Sequence, residues 1–120
     1  MALSGDADAL EAGDILWVDF GPPMGHEQAG RRPALVVSPG SYNERSSLIL
    51  VCPITRNLAS WAFRVNIQNP GLIQGAVLVD HIRSIDRQVR FVRRADRVDP
   101  ATLAKVYGMI IALLGNPVSN

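Results

Sequence analysis

Residues 15–38 read ILWVDFGPPMGHEQAGRRPALVVS, and this stretch decides the fold. Its two ends, 15–20 and 34–38, are rich in the β-branched and aromatic residues that favour strands. The connection between them is longer than the ~2–5 residues of an ordinary hairpin loop. Its second half, 25–33, carries an imidazole, a carboxylate, an amide and two guanidiniums. Because long loops on a rigid β scaffold often hold functional groups, we predict a site there. A solvated loop whose glycines only serve turns is the alternative.

More short strands are predicted further along the chain, over 48–54, 63–67, 76–79 and 89–92. A polar connection at 41–47 is predicted to contain about one helical turn. Pro53 lacks the N–H that a sheet ladder needs, so we expect it at an edge or a bulge.

The C-terminal segment has a helical period instead. An Asp-Pro pair at 99–100 suits the N-cap and the first helical position, and apolar residues then recur at 3.6-residue spacing as far as Leu114. Gly108 inside this helix costs about 1 kcal/mol relative to Ala, which predicts close packing at that point. Met109 and Leu113 widen the apolar stripe. We therefore expect the helix to bury against its own sheet and against a second copy of the chain.

These elements indicate a mainly β fold with a C-terminal α-helix (α+β), a small twisted barrel or sandwich of short antiparallel strands. We assign a single domain to 13–115, a flexible acidic tail to 1–12 and a C-terminal tail to 116–120. No apolar run approaches the ~20 residues of a membrane helix. The first twelve residues have neither the basic start nor the apolar block of a secretory signal. We expect a cytoplasmic protein that does not bind membranes.

The formal net charge of +1 is unevenly distributed. Three carboxylates and no basic residue lie in 1–12, which leaves +4 for the rest of the chain. Eleven of the twelve basic residues are Arg, whose planar guanidinium suits phosphate oxygens. Six of them form a cluster at Arg83, Arg87, Arg90, Arg93, Arg94 and Arg97. The cluster indicates an anionic partner such as nucleic acid, or else a surface face of ion pairs.

Residues that could do chemistry come from three separate segments. They are His26, Glu27, Gln28, Arg31, Arg32, Thr55, Arg56, Arg83 and Asp86. The sequence contains no metal-ligand spacing such as His-Glu-x-x-His and no Gly-x-Ser-x-Gly motif. The single cysteine, Cys52, lies in an apolar run that predicts a buried, inert thiol. We expect neither a metal nor a cofactor.

Such a set suits RNA cleavage by internal transphosphorylation, in which the ribose 2′-hydroxyl attacks the adjacent phosphorus. The protein then supplies a proton acceptor, a proton donor and positive charge for the developing phosphorane. The carboxylates at 27 and 86 and the imidazole of His26 can accept protons. Arg32 and Arg83 can hold the phosphate, and Thr55 can donate a hydrogen bond to it.

Each of these residues also has a structural interpretation. Arg32 could pair with Glu27 and brace the loop, and Thr55 could bond nearby backbone. Arg83 and Asp86 could form only an ion pair. We assign Trp17 to the core and His81 to a structural role. Trp61 and Tyr42 can serve either ordinary packing or base stacking.

In its motifs the chain resembles the MazF/PemK/Kid family of toxin–antitoxin endoribonucleases. The family pattern of a strand, Pro-x-x-Gly-x-Glu-Gln-x-Gly-x-Arg-Pro and a second strand is matched by residues 13–39. Downstream, the blocks Tyr42-Asn43, Val51-Cys52-Pro53-Ile54-Thr55 and Asp80-His81-Ile82-Arg83-Ser84-Ile85-Asp86 fit in order and spacing. The match spans about residues 13–114.

The resemblance implies an SH3-like barrel with a C-terminal helix and a homodimer. It also implies the toxin of a type II toxin–antitoxin system, which cleaves single-stranded mRNA at specific sequences without a metal ion. The products would be a 2′,3′-cyclic phosphate and a 5′-hydroxyl. The implied partners are a cognate antitoxin, which blocks the substrate groove with its flexible C-terminal segment, and promoter DNA, bound only as the toxin–antitoxin complex.

By position in these motifs, Arg32 and Thr55 match the family's catalytic Arg and Thr, and Glu27 its loop carboxylate. His26 resembles the Kid/PemK branch, in which Arg83 and Asp86 match further site residues. Both acid–base pairs, Glu27/Arg32 and Asp86/Arg83, therefore stay open. We expect the neighbouring Gln28, Arg31 and Arg56 to bind substrate or assist catalysis.

One segment departs from the family pattern. Residues 61–65, Trp-Ala-Phe-Arg-Val, lack the proline and reverse the charge of the family's aromatic-Pro-Phe-Glu-Val segment. Cleavage-sequence preference and antitoxin choice are therefore not transferred. Two further functions stay open: a non-enzymatic toxin of the same fold that poisons DNA gyrase, and a catalytically silent nucleic-acid-binding module.

Overall fold

The computed structural model describes residues 9–26, 28–57, 61–68 and 70–115. Within these ranges one sheet holds seven strands: β1 (Asp14–Asp19), β2 (Arg31–Val36), β3 (Leu48–Thr55), β4 (Arg64–Asn66), β5 (Ala76–Leu78), β6 (Arg83–Asp86) and β7 (Phe91–Arg97). The helices are α1 (Gly40–Asn43), α2 (Arg87–Arg90) and α3 (Pro100–Leu114), with a 3₁₀ turn at Val79–His81. The predicted mainly β fold with a C-terminal helix is confirmed.

The strands pair antiparallel in the order β4-β5-β3-β2-β1-β7, with β6 beside β3. One side of β3 pairs with β2, and the other side pairs first with β6 and then with β5. Pro53 lies where β3 passes from β6 to β5. The Leu50 carbonyl points toward the β2 side, where it accepts from the Val37 N–H. Backbone groups of successive strand residues point to opposite neighbours, so the Pro53 nitrogen points away from β2, toward the break between the β6 and β5 ladders. The predicted edge position is therefore wrong, because the missing N–H falls at a break inside the sheet.

Apolar side chains cover both faces of the sheet. The first core includes Ile15, Leu35, Cys52, Ile54, Val77 and Val106, and the second includes Leu16, Val18, Val36, Ile49, Val51 and Ile85. Successive strand residues point to opposite faces, so β1, β2 and β3 feed both cores. Burial, with a smaller contribution from the charge of Asp80, raises the pKa of the Cys52 thiol to about 12. This agrees with the predicted buried, inert thiol.

Helix α3 begins as the sequence predicts. The Asp99 carboxylate accepts a hydrogen bond from the Thr102 backbone N–H at 3.0 Å, and Pro100 lies in the first turn. Val106 is fully buried in the first core. The Tyr107 hydroxyl donates to a carbonyl of the segment that follows β2, at 2.8 Å.

The C-terminal part of α3 is open. A Cβ on Gly108 would meet no atom within 4 Å, so the predicted close packing at this glycine is wrong within one chain. Ile111 and Leu114 are 66% and 78% exposed, and Leu113 is 36% exposed. A groove of about 540 Å³ separates this part of the helix from β4. No helix of the described residues has the length and apolarity needed to span a membrane.

Residues 83–97 differ most from the sequence prediction. β6 occupies 83–86, where the pattern predicted no strand, and the strand predicted at 89–92 is replaced by α2 followed by β7. Asp86 accounts for this change, because its carboxylate accepts from the Gln88 backbone N–H at 2.9 Å and caps α2. At the other end of the sheet, β2 begins at Arg31 instead of residue 34.

The N-terminal packing starts before residue 13. Leu10 is fully buried in the second core, and its carbonyl accepts from the Asn43 side chain at 2.9 Å. The Asp14 carboxylate accepts from the Glu11 N–H at 2.8 Å. Packing thus reaches into the segment that the sequence assigned to a flexible tail. Residues 1–8 and 116–120 lie outside the described residues.

Candidate active site

The register of the sheet brings Arg32 and Thr55 together. β2 and β3 pair through Ala34 with Pro53 and Val36 with Val51. Continuing this register by two residues sets Arg32 opposite Thr55, at a spacing of about 5 Å between strands. Alternation also puts both side chains on one face of the sheet. The register therefore directs the two residues that match the family's catalytic Arg and Thr to the same end and the same face of the β2–β3 pair.

The Arg32 side chain braces the loop through only one of its nitrogens. Its Nε donates to the Ala29 carbonyl at 2.7 Å, while its terminal nitrogens make no hydrogen bond to any described residue. Glu27, the bracing partner considered from the sequence, lies outside the described residues. The fixed Nε orients the guanidinium and leaves its outer edge available for an anion.

Asn57 and Gly75 both constrain the position of Thr55. Its hydroxyl oxygen accepts from the Asn57 N–H at 3.1 Å, the local backbone bond that was considered from the sequence. Since this bond uses the oxygen as an acceptor, the hydroxyl proton is left to donate. Behind Thr55, Gly75 has a φ of +139°, and a Cβ there would lie 2.4 Å from the Thr55 carbonyl oxygen. Glycine is required because only it combines this φ with so close an approach.

A cavity of about 440 Å³, here called the histidine cavity, gathers several predicted residues. It is lined by Phe20, His26, Gln28, Pro53, Asp80, His81, Ile82 and Arg83. His26 is exposed within it, and the Arg83 guanidinium stacks over the Phe20 ring at 5.4 Å from the centroid. This cation–π contact fixes the orientation of Arg83.

Two residues of the histidine cavity were not among the predicted site residues. Asp80 contributes a carboxylate, which accepts from the Trp61 indole N–H at 3.0 Å, and His81 contributes a second imidazole. Both lie in the 80–86 block that suggested the family, but the pattern drew attention to Arg83 and Asp86. The 3₁₀ turn at Val79–His81 turns Asp80 and His81 toward the loop, and no sequence periodicity signals such a turn.

A second cavity, of about 480 Å³, is here called the tryptophan cavity. It is lined by Trp17, Ala29, Arg31, Arg32, Pro33, Ile54, Arg56, Leu72, Ile73 and Gln74. The assignment of Trp17 to the core is wrong. Trp17 is only half-buried, because it stands opposite Pro33 and Arg93 on the sheet, and the Arg93 guanidinium lies 5.7 Å from its ring centroid.

The far wall of the tryptophan cavity is fixed by Asp96. Its carboxylate accepts from the backbone N–H groups of Leu72 and Ile73 at 2.7 and 3.0 Å. Desolvation acts to raise the pKa of Asp96, but hydrogen bonds from these groups and from the Arg97 N–H hold it below its ordinary value. The wall therefore stays clamped by an ionised carboxylate at neutral pH.

Asp86 is not brought to these residues within one chain. It stands opposite Leu48, at the start of β3, whereas Thr55 is the last residue of that strand. Seven residues of strand correspond to roughly 20 Å. Arg83 and Asp86 also point to opposite faces of β6, so the ion pair considered from the sequence does not form.

The arginine cluster at 83–97 is divided among several contacts. Arg94 and Arg97 both pair with the buried Asp14, at 3.4 and 2.8 Å, which matches the surface ion-pair alternative. Arg90 donates to the Asp19 carbonyl at 3.4 Å. Arg83 and Arg93 stack on aromatic rings at the two cavities. Among the described residues, His, Cys, Asp and Glu side chains form no group of three or more that could hold a metal ion.

The fold and the site together define a small, mainly β protein with an arginine-rich cleft, formed by the tryptophan cavity with its Arg31, Arg32 and Arg56. Residues 11–114 match the family described as PemK-like, MazF-like toxin of type II toxin–antitoxin system. The chain belongs to this family.

Individual relatives agree with that assignment. The chain is 35% identical over 105 residues to the endoribonuclease toxin MazF of Escherichia coli K12, covering 88% of this chain and 94% of the relative. It is 36% identical over 109 residues to the E. coli endoribonuclease PemK, covering 88% and 82%. The crystal structure of MazF from Deinococcus radiodurans superposes with a TM-score of 0.83 at 39% identity, covering 90% of this chain and 98% of that one. The predicted family and endoribonuclease class are confirmed.

Gly75 provides a test of how Thr55 is positioned. Gly75→Ala should destabilise the fold by more than about 1 kcal/mol, since it adds a strained φ and a clash with the Thr55 carbonyl. Gly25→Ala is the matched control: its φ of +63° is also positive, but a Cβ there would meet no atom within 4 Å, so it should cost only about 1 kcal/mol of backbone strain. Urea unfolding of both variants measures the difference. Equal stabilities would show that the Gly75–Thr55 approach is not a constraint.

Proposed function

We propose that this toxin cuts single-stranded mRNA in the cytoplasm at specific sequences by internal transphosphorylation, without a metal ion. The observation that carries the proposal is the register of β2 and β3, which, continued by two residues, sets Arg32 opposite Thr55. The ribose 2′-oxygen attacks the adjacent phosphorus, and the bond from phosphorus to the 5′-oxygen breaks. The products are a 2′,3′-cyclic phosphate and a 5′-hydroxyl.

In this mechanism the charge on the phosphorane oxygens is stabilised by the outer nitrogens of Arg32. The Thr55 hydroxyl donates a hydrogen bond to an oxygen of the same phosphate. Preorganised donors of this kind contribute most when they need no rearrangement, and the Ala29 and Asn57 contacts supply that order. Arg31 and Arg56, which the same register sets opposite one another, bind the neighbouring phosphates.

We favour proton transfer by the loop over proton transfer by Asp86. His26 is exposed in the histidine cavity and Glu27 follows it in sequence, whereas Asp86 is occupied as the cap of α2. This supports the Glu27/Arg32 pair over the Asp86/Arg83 pair. Arg83, stacked on Phe20, would hold substrate in the histidine cavity, with Gln28 beside it.

Incubating the protein with a long single-stranded RNA in EDTA tests the function. We expect cleavage with cyclic-phosphate ends, and a 10²–10³-fold slower rate for Arg32→Ala, the typical cost of one lost charge stabiliser. Arg45→Ala is the matched control, because this exposed arginine follows α1 at the opposite end of β3. Binding without cleavage would support the silent binding module, and an Arg32→Ala protein cutting at the parental rate would remove Arg32 from the mechanism.

We further propose that the chain forms a homodimer through the exposed C-terminal part of α3. The exposed Ile111, Leu113 and Leu114 and the adjoining groove support this assignment. Leu113→Glu should favour monomers, since a dimer would then bury an unpaired carboxylate. Ala101→Glu, at an exposed position in the first turn of the same helix, should leave the dimer intact. Light scattering at low micromolar concentration distinguishes them, and an unchanged Leu113→Glu dimer would place the interface elsewhere.

A cognate antitoxin is the second proposed partner, and it binds promoter DNA together with the toxin. A solved relative at 34% identity is a MazE–MazF complex from D. radiodurans, with a TM-score of 0.74. We propose that an acidic, flexible C-terminal segment of the antitoxin occupies the arginine-rich cleft and folds as it docks. RNA and antitoxin would then use the same cations.

Competition in the cleft can be measured with an uncleavable 2′-deoxy substrate. Three phosphate contacts, from Arg31, Arg32 and Arg56, should lower affinity about 20-fold between 50 and 200 mM salt. A synthetic acidic tail peptide should displace the substrate competitively. If RNA and peptide bind together without weakening each other, the cleft is not shared.

A further inference from the structure

The tryptophan cavity has features that phosphate contacts alone do not explain. Trp17 presents part of its indole to the cavity, and three guanidiniums surround it, from Arg31, Arg32 and Arg56. Among the described residues, no carboxylate lines this cavity. An aromatic surface framed by arginines is the arrangement on which nucleobases of single strands stack while their phosphates are neutralised.

The cavity is also rigid, which favours a planar ligand. The indole is held between two neighbouring strands, opposite Pro33 in β2 and Arg93 in β7. The Arg93 guanidinium, 5.7 Å from the ring centroid, adds a cation–π contact. The wall at Leu72 and Ile73 is clamped by Asp96. A volume of about 480 Å³ is in the range of small-molecule sites.

We propose that the tryptophan cavity is a nucleobase subsite, in which one base of the RNA stacks on Trp17. This inference rests on the proposed function. Arg32, which the proposed mechanism places on the phosphate that is cut, lines the same cavity. The stacked base therefore belongs to a nucleotide next to the phosphate that is cut. Gln74, whose amide can both donate and accept, reads the edge of that base.

A peptide side chain is the competing occupant. A nucleotide fits better because the lining offers one aromatic surface together with several cations, which match a base and its flanking phosphates at once. An acidic peptide would use the arginines but would leave the indole without a specific partner. The experiment below distinguishes the two.

The chain has only two tryptophans, Trp17 and Trp61, so Trp61→Phe makes the emission of Trp17 a single reporter. The probe is the RNA cut in the cleavage assay, with a 2′-deoxy nucleotide at the cut position. We expect binding of this RNA to quench Trp17 emission. A series of probes, each with one abasic position, should lose the quenching at a single position next to the cut.

The same abasic probe should bind about 5- to 150-fold more weakly, which corresponds to the roughly 1–3 kcal/mol of base–aromatic stacking. Trp17→Leu should weaken binding of the intact probe by a similar factor. In this variant the abasic probe should bind as well as the intact probe, because the substitution and the missing base remove the same contact. Arg45→Ala serves as the matched control and should leave the abasic profile unchanged. If Trp17→Leu does not fold, as judged by circular dichroism, the quenching and the abasic series still decide the question.

Two results would overturn the subsite. In the first, RNA is bound and cut, yet Trp17 emission and the abasic series show no dependence on any base. In the second, an acidic peptide quenches Trp17 and RNA does not, which assigns the cavity to a peptide. Failure of the proposed function is distinct, since it shows as absence of cleavage in the EDTA assay.

Discussion

The register of β2 between β1 and β3 is the constraint on which the site depends. β2 sets Leu35 against Ile15 on one side and against Cys52 on the other, and all three are buried in the first core. A slip of one residue would turn every side chain of β2 to the wrong face, so burial fixes the register. The same register also fixes the position of Arg31 and Arg32, the polar residues with which β2 begins. Arg32 is directed to the face and the end of the sheet where Thr55 lies because apolar residues further along β2 must face their cores.

The arginines of this chain divide into structural and available groups. Arg94 and Arg97 are paired with Asp14, a carboxylate that is almost fully buried and also accepts from the Glu11 N–H. A buried carboxylate must be paired, so these two guanidiniums stabilise the junction of β1 and β7. Those beside the loop have fewer contacts: Arg32 gives only its Nε to the described residues. An excess of arginine in sequence thus overstates the charge offered to a partner, and the position of each carboxylate decides which arginines are available.

Local chemistry was enough to predict much of this fold. The Asp99 cap, the 3.6-residue period of α3 and the apolar runs of β1, β2 and β3 are all signals carried by neighbouring residues. The failures concern properties that depend on distant partners. Trp17 reads as a core residue, yet its exposure depends on Pro33 and Arg93 in other strands. β6 is short and half polar, and only its pairing with β3 makes it a strand. The carboxylate of Asp80 enters the site through a 3₁₀ turn that no periodicity announces.

The loop between β1 and β2 contributes residues to both cavities, which suggests why it is long. Gln28 lines the histidine cavity, whereas the next residue, Ala29, lines the tryptophan cavity. A two-residue hairpin turn would join β1 to β2 but could not supply side chains to both cavities. The extra residues cost conformational entropy that grows only slowly with loop length. Gly30 makes backbone hydrogen bonds with Phe20 and Gly21, just after β1, and these bonds restrict the entropic cost to the residues between them. A substrate strand crossing Arg32 would therefore meet rigid sheet on either side.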